Sequence, residues 1–375
     1  MKIYQPLLSA LSSIILVAGT SLASLNVLSQ SAFATPVKKK TAPISKKHNG
    51  IKTDDVHYLE WKEVQAFISQ MQTLHQFDTT QLQHIFDNAR FVESAIQLVK
   101  PAPPGKPKNW KAYRARFVEN GRISAGTAFW DRNQEHLNRA ENMFGVPAEI
   151  IVGLIGVETI YGKNTGSFRA LDVLTTLAFS YPETPNREAR MTFFKNELAQ
   201  LLLWTRDSDM DIYAVKGSYA GAIGLSQFMP SSLRQYAIDF DADAKIDLKE
   251  SEADAIGSVA NYLAKHGWQK GLPYAFPATV FNQDTNLPRF NEILGNGLKA
   301  GYLIDELKPV FTTPDEQAPK QIKYGVIDLQ NAEDPTEYWL ATENFFAITK
   351  YNRSYFYAMS VIDLGKTVSL ARKKE

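Results

Sequence analysis

Pro147-Ala-Glu-Ile-Ile-Val-Gly-Leu-Ile-Gly-Val-Glu158 is a nearly all-apolar run that ends on a carboxylate. The positions three, four and seven before Glu158 are Ile155, Leu154 and Ile151, which is the spacing of one helix face. Gly162, in Thr-Ile-Tyr-Gly, is the expected helix stop and leaves Glu158 near the C-terminus of the helix. Desolvation and the negative end of the helix dipole both disfavour an ionised side chain there. A carboxyl in that setting keeps its proton near neutral pH and suits general acid catalysis. The competing reading is a Glu that turns to solvent as its helix ends, the usual fate of a charged residue.

Helical periodicity extends on both sides of this run. Trp61, Val64, Phe67, Ile68 and Met71 repeat at threes and fours, and so do Leu82, Ile85, Phe86 and Ala89 after an Asp78-Thr79-Thr80 cap. Residues 100–108, with four prolines, form a break. One long helix is expected from about Ala125 through Phe144, closed by Gly145, and further helices over Leu171 to Phe179 and Arg190 to Asp207. From Leu272 to about Tyr338 short alternating runs with Pro and Gly between them point to strands. Tyr357 to Leu370 is helical again. The expected class is mainly α with one small β subdomain.

The 375 residues allow two or three domains with their own cores. Lys plus Arg number 41 against 40 Asp plus Glu, so no global field favours nucleic acid. Six Trp, 16 Tyr and 21 Phe are core residues first, and many fall in loop contexts where carbohydrate stacks. There is no cysteine, which excludes disulfides, thiolate catalysis, Cys-ligated metals and a lipid on an N-terminal cysteine. Lys2, an apolar stretch from Leu7 to Leu28 and Ala32-Phe33-Ala34 read as an export signal cleaved near Ala34. An uncleaved anchor is the rival reading, disfavoured by the interrupting Ser and Gly. Thr35 to about Thr53 reads as a flexible basic linker.

Two more constellations carry chemistry. Gly217-Ser-Tyr-Ala-Gly-Ala-Ile-Gly-Leu-Ser-Gln-Phe-Met-Pro-Ser-Ser232 has three glycines that let backbone approach a ligand. Ser218, Gln227 and Phe228 there offer a hydroxyl, an amide and a stacking face for a sugar with an N-acetyl group; a tight helix–helix junction explains the loop equally well. Asp239-Phe-Asp-Ala-Asp-Ala-Lys-Ile-Asp-Leu-Lys-Glu250 has EF-hand spacing. Asp239, Asp241 and Asp243 fall at loop positions 1, 3 and 5, the Lys245 carbonyl at 7, Asp247 at 9 and Glu250 at 12. Calcium is the expected ion, against a merely solvated acidic loop. Ala244 stands at position 6, where the turn prefers Gly, which costs affinity through about 1 kcal/mol of left-handed strain. Ser251 with Asp254 three on is the expected start of the next helix.

Four blocks taken in order resemble the membrane-bound lytic transglycosylase B family, glycoside hydrolase family 103. They are Gly-Val-Glu-Thr-x-Tyr-Gly around Glu158, the Ala220 to Ser232 stretch, Ala-Ile-Gly-Ser-Val-Ala-Asn-Tyr before His266-Gly-Trp, and Thr349-Lys-Tyr-Asn-Arg-Ser. The resemblance runs from about Tyr58 to the C-terminus. It implies a lysozyme-like α core flanked by a helical domain and a small β domain, with a structural calcium in the core. The implied division is 1–34 signal peptide, 35–56 linker, 57–145 helical domain, 146–271 catalytic core, 272–340 β-containing insertion and 341–375 return to the core.

The implied reaction cleaves the β-1,4 bond between N-acetylmuramic acid and N-acetylglucosamine in peptidoglycan and leaves 1,6-anhydromuramic acid. Glu158 matches the single catalytic acid, and Ser218 and Asn352 match residues beside it. Tyr113, Gln227, Phe228, Tyr262, Tyr351 and Tyr357 match glycan-holding positions, and Arg190 one near the peptide stem. Phe193 stands where a tyrosine is aligned. One carboxyl suffices, because the attacking hydroxyl belongs to the substrate; no second carboxylate in a comparable setting is visible in the sequence. The implied partners are peptidoglycan strands, with room for cell-wall synthesis or amidase proteins. With no cysteine to carry a lipid, the form expected is soluble and periplasmic, without a stable membrane anchor after signal cleavage. Two readings compete: a hydrolytic muramidase with a second carboxylate, and an inert calcium-dependent glycan-binding module. A purely structural calcium protein is disfavoured by the setting of Glu158.

Overall fold

The computed structural model describes residues 56–101, 105, 107–280, 288–308 and 310–373. The export signal and most of the basic linker lie outside the described residues. After a short 3-10 turn (Tyr58–Glu60) come α1 (Lys62–His75), α2 (Thr79–Asp87), α3 (Glu93–Leu98), α4 (Trp110–Arg114), α5 (Asn120–Arg132), α6 (Gln134–Phe144) and α7 (Ala148–Thr159). Then follow β1 (Phe168–Arg169), α8 (Ala170–Phe179), α9 (Arg187–Asp207), β2 (Lys216–Gly217), α10 (Pro230–Tyr236) and α11 (Glu252–Lys265). The chain continues with β3 (Ala275–Val280), α12 (Pro288–Leu294), β4 (Tyr302–Leu303), α13 (Ile304–Leu307), β5 (Phe311–Thr312), β6 (Lys323–Asn331) and β7 (Asp334–Ala341). It closes with α14 (Glu343–Tyr351) and α15 (Tyr355–Arg372). The class is mainly α with a small sheet subdomain, as the sequence patterning predicts.

A helix apolar on every side must be central. All of α7 from Ile150 to Val157 is buried, and its principal neighbour is α15. Glycine decides how close the two come. A Cβ on Gly153 would lie 2.2 Å from the Val361 carbonyl oxygen, and one on Gly365 would lie 2.0 Å from that of Glu149. No side chain larger than hydrogen fits at this crossing, and the close approach brings the start of α15 up to the end of α7.

The inserted sheet has order β4-β6-β7-β3-β5, antiparallel throughout. It carries a separate small core that includes Phe276, Phe290, Phe311, Tyr324 and Leu340.

The single helix expected over 125–144 is two. The break is at Asn133, whose Nδ2 donates to the Phe129 carbonyl at 3.0 Å and to Glu252 Oε2 at 2.5 Å. The side chain competes with the helical ladder and is locked by a carboxylate from α11, which also binds Arg132. Ser251 caps α11 as expected by accepting the Asp254 N–H. The Asp254 side chain does not return the bond: it accepts Phe240 N–H at 2.6 Å and Asp247 N–H at 2.8 Å.

Candidate active site

The helix α7 ends one residue after Glu158, before the expected stop at Gly162. Ile160 (φ 54°) and Tyr161 (φ 55°) are both left-handed and Gly162 continues the turn (φ 88°). A β-branched residue at positive φ is strained, and such strain persists only where the surroundings over-determine it. Thr159 supplies part of that constraint. Its hydroxyl lies 3.1 Å from the Leu225 carbonyl in the glycine-rich loop and accepts the Gly162 N–H at 3.0 Å. The end of the helix and the loop are thereby one rigid unit.

Glu158 is half-buried on that unit. Burial raises its carboxyl to about 7, against the one bond that lowers it. That bond comes from Tyr357 at the start of α15, whose Oη donates to Glu158 Oε1 at 2.5 Å. Tyr351 and Tyr113 also stand within electrostatic reach of Glu158. Burial first, and then the Glu158 charge, push Tyr351 well above the usual phenol range. Burial pushes Tyr113 up to about 12, with Arg116 opposing and Glu158 adding. None of these phenols ionises near neutral pH, and Tyr351 and Tyr357 act as donors.

The glycine-rich loop folds back on itself through bridges Gly217 to Ile223 and Ile223 to Phe228. Ser218 Oγ accepts the Ala222 N–H at 3.1 Å. Gln227 is left-handed (φ 51°), and its Nε2 donates to the carbonyls of Gly224 and Thr165 at 2.9 and 3.1 Å. Tyr351 Oη donates to the Ser226 carbonyl at 2.5 Å, so α14 is pinned to the same loop.

The structure gathers Glu158, Tyr357, Tyr351 and Tyr113 around one carboxyl, and joins Phe228 and Tyr262 to Tyr351 by ring contacts of 5.7 and 4.8 Å. Three of the rings expected at the glycan are more deeply buried than the rest. Phe228, Tyr262 and Tyr357 are 2, 7 and 0 % exposed, and of the three Tyr357 bonds the Glu158 carboxyl directly. Tyr262 stacks on His266, centroids 3.9 Å apart, which covers one of its faces. Ser218, Gln227, Tyr113 and Tyr351 remain half-exposed. Asn352 is buried at the end of α14, next to Tyr351.

Arg190 belongs to a second cluster. Its guanidinium lies 5.2 and 5.0 Å from the Phe193 and Phe194 rings, and its Nε donates to Tyr181 Oη at 3.3 Å. Tyr219 from the glycine-rich loop lies close enough to feel both Arg190 and Tyr181.

A second buried carboxyl does exist. Glu197 on α9 is 2 % exposed and burial raises its pKa. Its oxygens accept Ser231 N–H at 2.9 Å and Ser231 Oγ–H at 2.7 Å, closing the N-terminus of α10. It lies inside a helical pattern and gives no separate signal in the sequence.

The acidic loop brings two of its expected ligands together with a third carboxylate from α11. Asp239, Asp241 and Asp254 bring carboxylate oxygens within 4.8 Å of one another. Asp243, Asp247 and Glu250 line an adjoining open hollow together with Asp241 but are not in that group. Glu250 pairs with Lys249, and the Lys245 backbone N–H is taken by Asp243. Ala244 is left-handed (φ 70°), as position 6 requires, and so is Ala242 (φ 64°). Hard oxygen donors converging from a tight loop fit calcium.

The family described as "Transglycosylase SLT domain" matches residues 60–366. The chain is 41% identical over 317 residues to membrane-bound lytic murein transglycosylase B of Escherichia coli, covering 82% of this chain and 83% of that protein. Among solved structures it is similar to catenated lytic transglycosylase SltB1 from Pseudomonas aeruginosa, with TM-score 0.76 and 39% identity over 84% of this chain and 99% of that one. It is likewise similar to the E. coli lytic transglycosylase Slt35 in complex with calcium, with TM-score 0.73 and 40% identity over 83% of this chain and 94% of that one. The carboxyl that burial raises to about 7, at a strained helix end tied to a glycine-rich loop, thus stands in a chain that belongs to the transglycosylase SLT domain family.

Proposed function

We propose that this enzyme is a peptidoglycan lytic transglycosylase that cleaves the β-1,4 bond between N-acetylmuramic acid and N-acetylglucosamine, with Glu158 as the one catalytic carboxyl. The observation that carries the role of Glu158 is its half-buried place at the strained end of α7, with Tyr357 bonded to only one of its oxygens; burial there raises the carboxyl to about 7. Tyr357 occupies Oε1, which leaves Oε2 to hold the proton. Glu158 gives that proton to the glycosidic oxygen, the bond from C1 to that oxygen breaks, and N-acetylglucosamine leaves with its 4-hydroxyl. The muramoyl C6 hydroxyl then attacks C1 and returns its proton to Glu158. A 1,6-anhydro ring forms and no water is consumed. Burial favours both halves, since a carboxyl titrating near 7 is a competent acid and, once ionised, a competent base.

Ser218, Gln227, Tyr113 and Tyr351 are the proposed glycan contacts, with Asn352 beside the reacting sugar and Arg190 toward the peptide stem. Phe228, Tyr262 and Tyr357 are the more deeply buried members of the set. Glu197 supplies no second base, because its oxygens are committed to Ser231.

Calcium is proposed as a structural ion held by Asp239, Asp241 and Asp254, with Asp243, Asp247 and the Lys245 carbonyl on the same loop. It cross-links the segment after α10 to α11 and takes no part in proton transfer. The domain division set out from the sequence, a periplasmic location and cleavage near Ala34 complete the reading.

The test is mass spectrometry of products released from purified peptidoglycan by residues 35–375. Muropeptides carrying 1,6-anhydromuramic acid, lost in Glu158→Gln, are the expected result. Reducing-end products would require an activated water and overturn the scheme.

A further inference from the structure

The five-residue helix α4 is too short to hold itself together. Its own N-cap, Asn109, accepts the Ala112 N–H at 2.9 Å. The preceding amide, Lys111 N–H, is satisfied from elsewhere: it donates at 2.9 Å to Asn331 Oδ1, 220 residues on. Asn331 ends β6, where the pairing with β7 shifts register, and Ala332 turns the tip with φ 55°. The contact is more than one bond. Asn109 and Asn331 form an antiparallel bridge, and Ala332 N–H donates to the Lys108 carbonyl at 2.8 Å. Lys111 Nζ reaches Asp334 at 2.8 Å at the exposed rim.

Asn331 is 2 % exposed, and its Nδ2 is oriented by the Pro335 carbonyl and Glu337 Oε1, each at 3.3 Å. Burying an amide is costly unless its partners are placed to receive it. What α4 carries is Tyr113. That ring packs on Phe356 at 5.4 Å and is close enough to feel Glu158 and to be felt by Tyr357. Arg114, next to it, is tied to Asp363 of α15 at 2.5 Å. The short helix is therefore gripped on one side by the tip of the inserted sheet and on the other by the helix that carries Tyr357.

We propose that Asn331 is a positioning residue for the glycan cleft: its cap on α4 holds Tyr113 beside Glu158, so the inserted sheet sets how tightly a glycan strand is bound. The inference rests on the transglycosylase reading above and adds to it a role for the sheet. The sheet acts through α4.

The experiment is steady-state kinetics on soluble uncrosslinked glycan strands with residues 35–375. In Asn331→Ala the KM is expected to rise about fivefold, the worth of one hydrogen bond, while the loss in kcat stays smaller. In a Tyr113→Ala background, Asn331→Ala is expected to add no further rise in KM, whereas loosening of the fold alone would add one. Asn331→Ser replaces the Ala variant if that chain does not fold. An unchanged KM in a parent enzyme that still releases 1,6-anhydro products overturns this proposal alone, and so does an equal rise in both backgrounds. A parent that releases no 1,6-anhydro products overturns the functional reading and this proposal with it.

Discussion

Glu158 and Glu197 are two carboxyls in the interior of one helical core, and burial raises both. They differ in what points at them. Glu197 receives an N–H and an O–H from Ser231 and closes the first turn of α10, where the helix dipole also favours its negative charge. Glu158 sits in the last turn of α7, where the dipole opposes charge, and receives one hydroxyl, from Tyr357. Both are desolvated; one is fully employed and the other holds an oxygen in reserve. Desolvation raises a pKa anywhere, but an acid catalyst also needs an oxygen that the fold has not used.

The sharpest way to break this comparison is to remove each carboxyl. Glu158→Gln should lower turnover by about 10³-fold, the usual worth of a general acid. It should also make the fold more stable in base. A carboxyl raised to about 7 in the folded state favours folding while protonated. That contribution is complete below the unfolded value and is lost as pH rises through about 7. At pH 8 the Gln variant should therefore exceed the parent by roughly 2 kcal/mol in denaturant titration, and by much less at pH 5. Glu197→Ala should do the reverse, losing about 2 kcal/mol of stability through the stranded Ser231 donors while its product keeps the 1,6-anhydro ring. Equal losses of turnover in the two would show that Glu197 takes part in the chemistry.

How far the sequence foretold this depended on whether the information was local. The setting of Glu158 was readable because Ile151, Leu154 and Ile155 lie on its own helix. The partner that tunes it was not readable as a partner. Tyr357 meets Glu158 because α15 crosses α7 on Gly153 and Gly365, and the two glycines lie far apart in the chain, so neither names the other as its partner. The break at Asn133 was hidden for the same reason, since its lock is Glu252, 119 residues away. Residue type is local, but residue direction is not. Phe228 has the ring that sugar binding uses, but the fold turns it inward onto Tyr262 and Tyr351.

The Tyr357 bond gives a finer test of the same contrast. It lowers the Glu158 pKa against the larger effect of burial. Tyr357→Phe should therefore raise it further, by roughly half a unit to one unit. Activity that needs protonated Glu158 falls as pH rises through that value. The basic limb of log(kcat/KM) against pH should accordingly move to higher pH in the Phe variant. A limb that moves to lower pH would mean that the hydroxyl favours the neutral carboxyl, and that Oε1 rather than Oε2 carries the proton.

The smallest effect concerns a third buried carboxyl, Asp254, which lies between the other two in kind. It is 1 % exposed and accepts two backbone N–H groups, as a structural carboxylate does, yet it also turns an oxygen toward Asp239 and Asp241. If those oxygens hold calcium, added calcium should raise the Tm of the parent by about 2–4 °C, by binding the folded state alone. Asp254→Ala should abolish that rise. It should also lower the calcium-free Tm, because the Phe240 and Asp247 amides lose their acceptor, so the informative quantity is the calcium-dependent difference. Glu250→Ala should keep most of the rise, since Glu250 pairs with Lys249 and stands outside the cluster. Loss of the calcium-dependent rise in Glu250→Ala, with its retention in Asp254→Ala, would restore the twelve-residue loop read from the sequence and return Asp254 to a purely structural role.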